Sequence, residues 1–275
     1  MDKAHKETDK ILAGLEHALR KQYSLAFKDI RKEVSEVFGK FEFENEMTPI
    51  ERYTEAQKYE RLKKIEESVA KAINVVNNEA LKQVNQSLLD MYKINYDFSS
   101  KELGVLLAIT TPKAPNKAEV RQEVNQEQSP LNELAIDNVK DIGDLRRRVS
   151  QSFVSGIMAG ENANKLIKRL QKVAELKLSD IVRIARTQTT KVENLARMDV
   201  YQEVAKQGYK VVKEWVAVSD NRTRDAHRKA DGQRVLIDEP FIVNGEKLMF
   251  PGDPNGSAEN IINCRCTMKA VILEK

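Results

Sequence analysis

Three side chains able to ligate a soft metal or move a proton lie in the last quarter of the chain: His227, Cys264 and Cys266. Just before the histidine runs Asp220-Asn-Arg222-Thr-Arg224-Asp225, a carboxylate and two guanidiniums at alternate positions. Cys264 and Cys266 are two apart, so on an extended segment both thiols point to one face. From one face they reach a single metal, with His227 as third ligand and Asp220, Asp225 or Asp231 as fourth. Structural zinc sites more often take four Cys/His ligands from C-x₂₋₄-C pairs, and this chain supplies three at tighter spacing. The alternative is two buried, unreactive thiols acting as small hydrophobes. A disulfide between i and i+2 is strained.

The polar run admits a parallel choice. Histidine is the natural general base near neutral pH, and arginine stabilises developing negative charge. With the metal ligands, these groups outline a metal-assisted hydrolase or nuclease built on His227, Cys264, Cys266 and Asp220. Yet no activated nucleophile and no Gly-rich phosphate loop accompanies them. We therefore read Arg186, Asp220, Arg222, Arg224 and His227 as a structural polar network that holds a loop against a sheet, and the chain as no enzyme. No cofactor is expected, with zinc as the alternative.

Charge is unevenly spread. Between Lys140 and Lys213 sixteen Lys/Arg face eight Asp/Glu, so this stretch carries +8 while the whole chain carries +4. Arg146, Arg147 and Arg148, with Lys168 and Arg169, offer electrostatic contact to the phosphates of duplex DNA. No aromatics are interleaved to stack exposed bases. No run approaches the ~18 apolar residues of a membrane span, and no membrane partner is expected. Two cysteines make no disulfide framework, which suits synthesis in a reducing cytoplasm.

These residues must be positioned by an α+β fold: a long N-terminal helical hairpin, a helical middle, and a small C-terminal α+β domain with antiparallel strands. Leu12, Leu15, Leu19, Phe27, Ile30, Val34, Val37, Phe38 and Phe41 form a helical stripe. Thr48-Pro49-Ile50-Glu51 is a capping box with proline in the first turn, and its helix carries Leu62, Ile65, Val69, Ile73, Val76, Leu81, Val84 and Leu88. Residues 1–96 are thus a helical region and 97–129 a linker or extended arm, with helix resuming at Ser129-Pro130. Shorter helices punctuated by Gly143, Gly156 and Gly160 precede a strong one that opens at Ser179-Asp180 and ends at Gly208. One face of that helix presents Arg183, Arg186, Thr190, Asn194 and Arg197. Helices over 130–207 then give way to an α+β end over 208–275. There Val211 to Val218 is a strand, Asn244-Gly245 suits a type I′ hairpin turn, and Thr267 to Leu273 closes the sheet.

The ordered set Ala185-Arg186-Thr187, Asn194, Trp215, Asp220-x-Arg222-Thr223-Arg224-x-x-His227, Asp231-Gly232, Pro240-Phe241, Pro251-Gly252-Asp253-Pro254 and Asn263-Cys264-Arg265-Cys266 resembles the C-terminal domain of the phage Mu F-like head morphogenesis proteins. These are the minor head proteins of tailed phages. The resemblance covers about residues 150–272. It departs at Gln188, where the family's usual glutamate would stand, which removes a carboxylate from that helix. The resemblance implies a virion component placed inside the head near the portal and acting in head morphogenesis. The partners it implies are the portal protein, its own copies, capsid or scaffolding proteins, and double-stranded DNA. The family has no established enzymatic activity.

Overall fold

The computed structural model describes residues 1–38, 47–57, 60–111, 115 and 130–272, with side chains left aside at 37–38, 52, 55–57, 60–62 and 130–142. Phe41, most of the stretch read as a linker (112–114 and 116–129) and Leu273 lie outside these residues, as do the side chains of Val37, Phe38 and Leu62. The helices are α1 (Lys3–Phe38), α2 (Pro49–Gln57), α3 (Glu60–Leu107), α4 (Pro130–Met158), α5 (Ala163–Lys206), α6 (Asp225–Ala230) and α7 (Ala258–Ile261). The strands are β1 (Val211–Val216), β2 (Arg234–Leu236), β3 (Phe241–Val243), β4 (Glu246–Leu248) and β5 (Thr267–Ile272). Two compact units result, and α1, α3 and α5 each contribute to both.

The helical unit comprises residues 16–82 and 130–181. Its core interleaves four stripes at three- and four-residue spacing: Ile30 and Val34, then Ile65, Val69 and Ile73, then Leu145, Val149, Phe153 and Ile157, then Leu166, Leu170 and Val173. That spacing is what a helix needs to bury one face. Tyr23 donates to Asn77, and Ser68 donates to Glu33 at 2.9 Å. Ten residues forward on α1 therefore correspond to nine back on α3, the antiparallel hairpin expected from the sequence. The capping box also forms: the Thr48 N–H donates to Glu51 Oε2 at 2.8 Å and the Glu51 N–H to Thr48 Oγ1 at 3.3 Å.

The second unit comprises residues 1–15, 83–129 and 182–275. Its sheet runs β2-β1-β5, antiparallel throughout, with Trp215 opposite Met268 and Lys213 opposite both Ala270 and Val235. As the central strand, β1 is buried from Val211 to Trp215. The Asn244-Gly245 turn joins β3 to β4, both residues at positive φ (53° and 78°) as a type I′ turn requires.

Two helix boundaries differ from the sequence reading. Helix α3 continues to Leu107, so residues 97–107 are helical and not extended. Tyr92, Tyr96, Ser99 and Leu103 stay on one buried face, and that burial outweighs the poor local propensity of Asp97-Phe-Ser-Ser. Helix α5 passes unbroken through Ser179-Asp180, because the apolar stripe Leu166, Leu170, Val173 runs on into Ile181 and Ala185. The helices of the middle are accordingly two long ones, not several short ones. Strand β1 ends at Val216, two residues short of the expected Val218, and β2 has no counterpart in the sequence reading.

Candidate functional site

Helix α5 carries the polar face that organises the second unit. Thr190 Oγ1 donates to the Cys264 carbonyl, Asn194 Nδ2 to the Cys266 carbonyl at 3.2 Å, and Arg197 Nη1 to the Met268 carbonyl at 3.1 Å. These acceptors are alternate residues, so they point the same way along one edge of the β5 segment. Helical steps of four and three rise about 6 and 4.5 Å, close to the ~6.6 Å repeat of alternate strand residues. The helix thus covers a sheet edge whose carbonyls would otherwise be unpaired. The sequence reading found this stripe but assigned it no partner.

Around Arg197 the stripe becomes a buried ionic network. The guanidinium is fully buried and reaches Asp2 at 2.7 and 3.0 Å, Asn95 Oδ1 at 3.0 Å and Glu193 at 3.3 Å. Glu193 also accepts from His5 at 2.8 Å and from the Thr267 hydroxyl at 2.6 Å. Burial pushes the Asp2 carboxyl up, but Arg197 outweighs it and holds the group below its usual value. Burial likewise presses the His5 imidazolium down, and Glu193 more than compensates, so His5 holds its proton above the ordinary pKa. Nothing in the sequence ties Asp2 or His5 to this helix face, because they are some 190 residues from Glu193 and Arg197.

The loop between β1 and α6 holds the polar run. Asp220 binds Arg265 through two bonds of 2.6 Å, and accepts from the Arg222 N–H at 3.0 Å and the Thr223 hydroxyl at 3.1 Å. Arg265 above all, with the Arg222 N–H and Thr223, holds the Asp220 carboxyl far below the usual carboxylate range. Thr223 donates on to the Val218 carbonyl, and Arg224 donates to the Ile262 carbonyl. Arg222 itself projects outward, its guanidinium 3.6 Å from Asp220. Asp220 is therefore no ligand to the cysteine cluster. Its partner is Arg265, which the sequence reading passed over although alternation turns it away from the two cysteines.

His227 separates from that network. It is buried with Cys264 and Cys266, and its Nδ1 lies 3.3 Å from Cys266 Sγ and 3.5 Å from Cys264 Sγ. The Trp215 ring stands edge-on to the imidazole at 5.7 Å and to Phe241 at 5.3 Å. The Cys266 N–H points at Cys264 Sγ at 3.4 Å. The Cys266 thiol, and then His227, pull the Cys264 thiol well down, while Cys266, donating to its neighbour, is pushed up. Arg186 lies half-buried on α5. Thr187, its neighbour, accepts from the Asn263 N–H at 3.1 Å and so ties the helix to the start of the Asn-Cys-Arg-Cys segment. Gln188, on the same helix, is buried.

The basic set sits in the helical unit. Arg147 and Arg148 both pair with Asp144, Arg148 at 2.6 Å, and Arg169 clasps Glu161 at 2.6 and 2.8 Å. Arg146 and Lys168 are exposed and make no ion pair among the described residues. In the same unit a groove of about 620 Å³ is lined by Arg20, Tyr23, Phe27, Lys28, Arg31 and Glu175, among others. It holds none of the candidate metal, polar-network or DNA-contact residues named from the sequence.

Residues 147–269 match the family model described as phage Mu protein F like protein. The chain carries a phage Mu protein F like domain. That domain begins within α4 and ends within β5, and so contains the α5 stripe, the Asp220 loop and the His227–Cys264–Cys266 cluster. Across its length the chain is similar to minor head protein GP7 of Bacillus phage SPP1, 29% identical over 272 residues, which is 97% of this chain and 85% of that one. It is also similar, at 28% over 129 residues, to the NAD(+)–arginine ADP-ribosyltransferase EFV of Enterococcus faecalis, spanning 47% of this chain and 26% of the enzyme. A shorter likeness, 37% over 57 residues, links 20% of the chain to 19% of the uncharacterized protein YqbB of Bacillus subtilis. No solved structure matches. No helix among the described residues is long and apolar enough to cross a membrane.

Proposed function

We propose that the chain is a minor head protein of a tailed phage, a component of the virion that acts in head morphogenesis without catalysing a reaction. The observation that carries this reading is the extent of the similarity to the SPP1 minor head protein, which runs from one end of the chain to the other. The groups that would serve an enzyme are engaged elsewhere: Asp220 with Arg265, Arg224 with a main-chain carbonyl, His227 between two thiols. The likeness to the ADP-ribosyltransferase touches about a quarter of that enzyme, which suits a shared module beside a separate activity.

In this role the portal protein is the principal partner, with further copies of the chain, capsid or scaffolding proteins around it, and assembly begins in the host cytoplasm. Contact with packaged DNA rests on the basic set. Arg147, Arg148 and Arg169 are already paired to carboxylates, so Arg146 and Lys168 supply most of the unspent charge. Mass spectrometry of purified particles tests the assignment: the chain should be present in far fewer copies than the major capsid protein and should co-purify with the portal. Particles that assemble, package and infect normally without it would overturn the reading. Duplex DNA binding should fall with salt and weaken for Arg146→Ala with Lys168→Ala; salt-insensitive binding, or none, removes the DNA contact.

A further inference from the structure

The His227–Cys264–Cys266 cluster has the chemistry and the dimensions of a metal centre. A tetrahedral zinc ion with Zn–S near 2.3 Å and Zn–N near 2.0–2.1 Å sets nitrogen and sulfur about 3.5 Å apart. Here the imidazole Nδ1 stands 3.3 and 3.5 Å from the two sulfurs, and the three ligand atoms all lie within 4.8 Å of one another. Direction matters as much as distance. One nitrogen faces both sulfurs, whereas a single S–H···N hydrogen bond would need only one of them. We propose that Cys264, Cys266 and His227 bind one zinc ion that fastens α6 to the segment leading into β5.

Charge supports this assignment. Two thiolates and a neutral imidazole cancel the two positive charges of zinc, so the complete centre is neutral. A neutral centre escapes most of the cost of placing an isolated charge in an apolar interior. Trp215, fully buried and edge-on to His227, supplies part of that interior. The Cys266 N–H aimed at Cys264 Sγ at 3.4 Å is the kind of main-chain donor that steadies a metal-bound thiolate. Soft sulfur donors select zinc over magnesium or calcium. No fourth His, Cys, Asp or Glu joins the cluster among the described residues.

The role is structural. His227, Cys264 and Cys266 are each no more than 3% exposed, so substrate has no access to the ion. What zinc provides is a cross-link between segments 37 residues apart, in a region whose strands β2, β3 and β4 are three residues long. Strands that short bury little apolar surface, and a bound metal adds its binding free energy to folding.

The test uses the full chain and zinc or cobalt alone. Protein purified without chelator and passed through gel filtration should carry one zinc per chain by elemental analysis. Cobalt(II) titrated into chelator-stripped protein should give the sulfur-to-metal charge-transfer band of a thiolate complex, saturating at one equivalent. Chelator should lower the unfolding midpoint reported by Trp215 fluorescence, and added zinc should restore it. Cys264→Ser and His227→Ala should each weaken zinc binding by about 100-fold or more, while Asp220→Asn should leave it unchanged. Metal-free protein with no cobalt–thiolate band and no response to zinc overturns the proposal. Equal zinc affinity in His227→Ala overturns the ligand set. Where a ligand variant fails to fold, the wild-type cobalt spectrum decides. The head-protein reading stands or falls independently, since it does not rest on the metal.

Discussion

Replacing Arg197 with methionine tests whether the buried ionic network holds the second unit together. The substitution keeps much of the side chain's length and removes every charge-assisted bond it makes: two to Asp2, one to Asn95, one to Glu193 and one to the Met268 carbonyl. Breaking a buried pair by removing one partner costs about 3–5 kcal/mol, because the other charge is left uncompensated. The lower end applies here. The Asp2 side chain is 24% exposed and rehydrates in part, and Glu193 keeps His5 and Thr267. A loss of about 3 kcal/mol should move the urea midpoint down by roughly 1–2 M at an unchanged slope. The assay is intrinsic fluorescence, since Trp215 is the sole tryptophan and is fully buried in this unit. Asp2→Asn alone should cost roughly 1 kcal/mol, after allowing for solvent screening at Asp2. In the Arg197→Met background the same change should cost nothing or stabilise, because it removes an orphaned carboxylate. A loss below about 1 kcal/mol for Arg197→Met, or equal Asp2→Asn effects in both backgrounds, would refute the reasoning.

Three further outcomes follow from the same unit. His5 holds its proton above the ordinary 6.5, so its contribution is complete below that pH and fades as pH rises through the raised folded value; His5→Gln should flatten that decline in chemical-denaturation profiles. Lys213 behaves in the opposite sense. Burial lowers it to about 8 from 10.5, so the cost of its charged form is full below pH 8 and vanishes above 10.5. Measured against Lys213→Met, wild-type stability should therefore rise across that window. Gly252 has φ +84°, and an added Cβ would stand 2.9 Å from the Lys191 backbone nitrogen. Gly252→Ala should cost well over ~1 kcal/mol, more than Gly245→Ala, whose Cβ meets nothing; equal thermal shifts would show that the approach of this loop to α5 is not tight.

Much of this organisation is legible along the chain because it is local. The capping box at Thr48, the Asn244-Gly245 turn and the stripe Leu145, Val149, Phe153 each announce themselves within a few residues. The cysteine pair could also be anticipated, since i and i+2 on extended backbone share a face wherever that backbone lies. Local signals mislead where they meet tertiary burial. Ser179-Asp180 has the chemistry of a helix cap, yet the apolar face runs straight through it. Asp97-Phe-Ser-Ser reads as a break, yet Ser99 is small enough to sit buried against its neighbours.

The order of motifs from Ala185 to Cys266 was sufficient, by itself, to point to the family, because each element is a short run of specific residue types. Which of those residues touch was decided only by the tertiary structure. Sequence spacing grouped His227 with Asp220, seven positions away, but the chain turns between them, so Asp220 goes to Arg265 and His227 to the two cysteines. Pairing Arg197 with Asp2, or His5 with Glu193, requires segments some 190 residues apart to meet. No periodicity encodes that meeting. It follows from burying the face of α5 against both the start of α1 and the edge of β5, where every charge taken out of water must find its opposite.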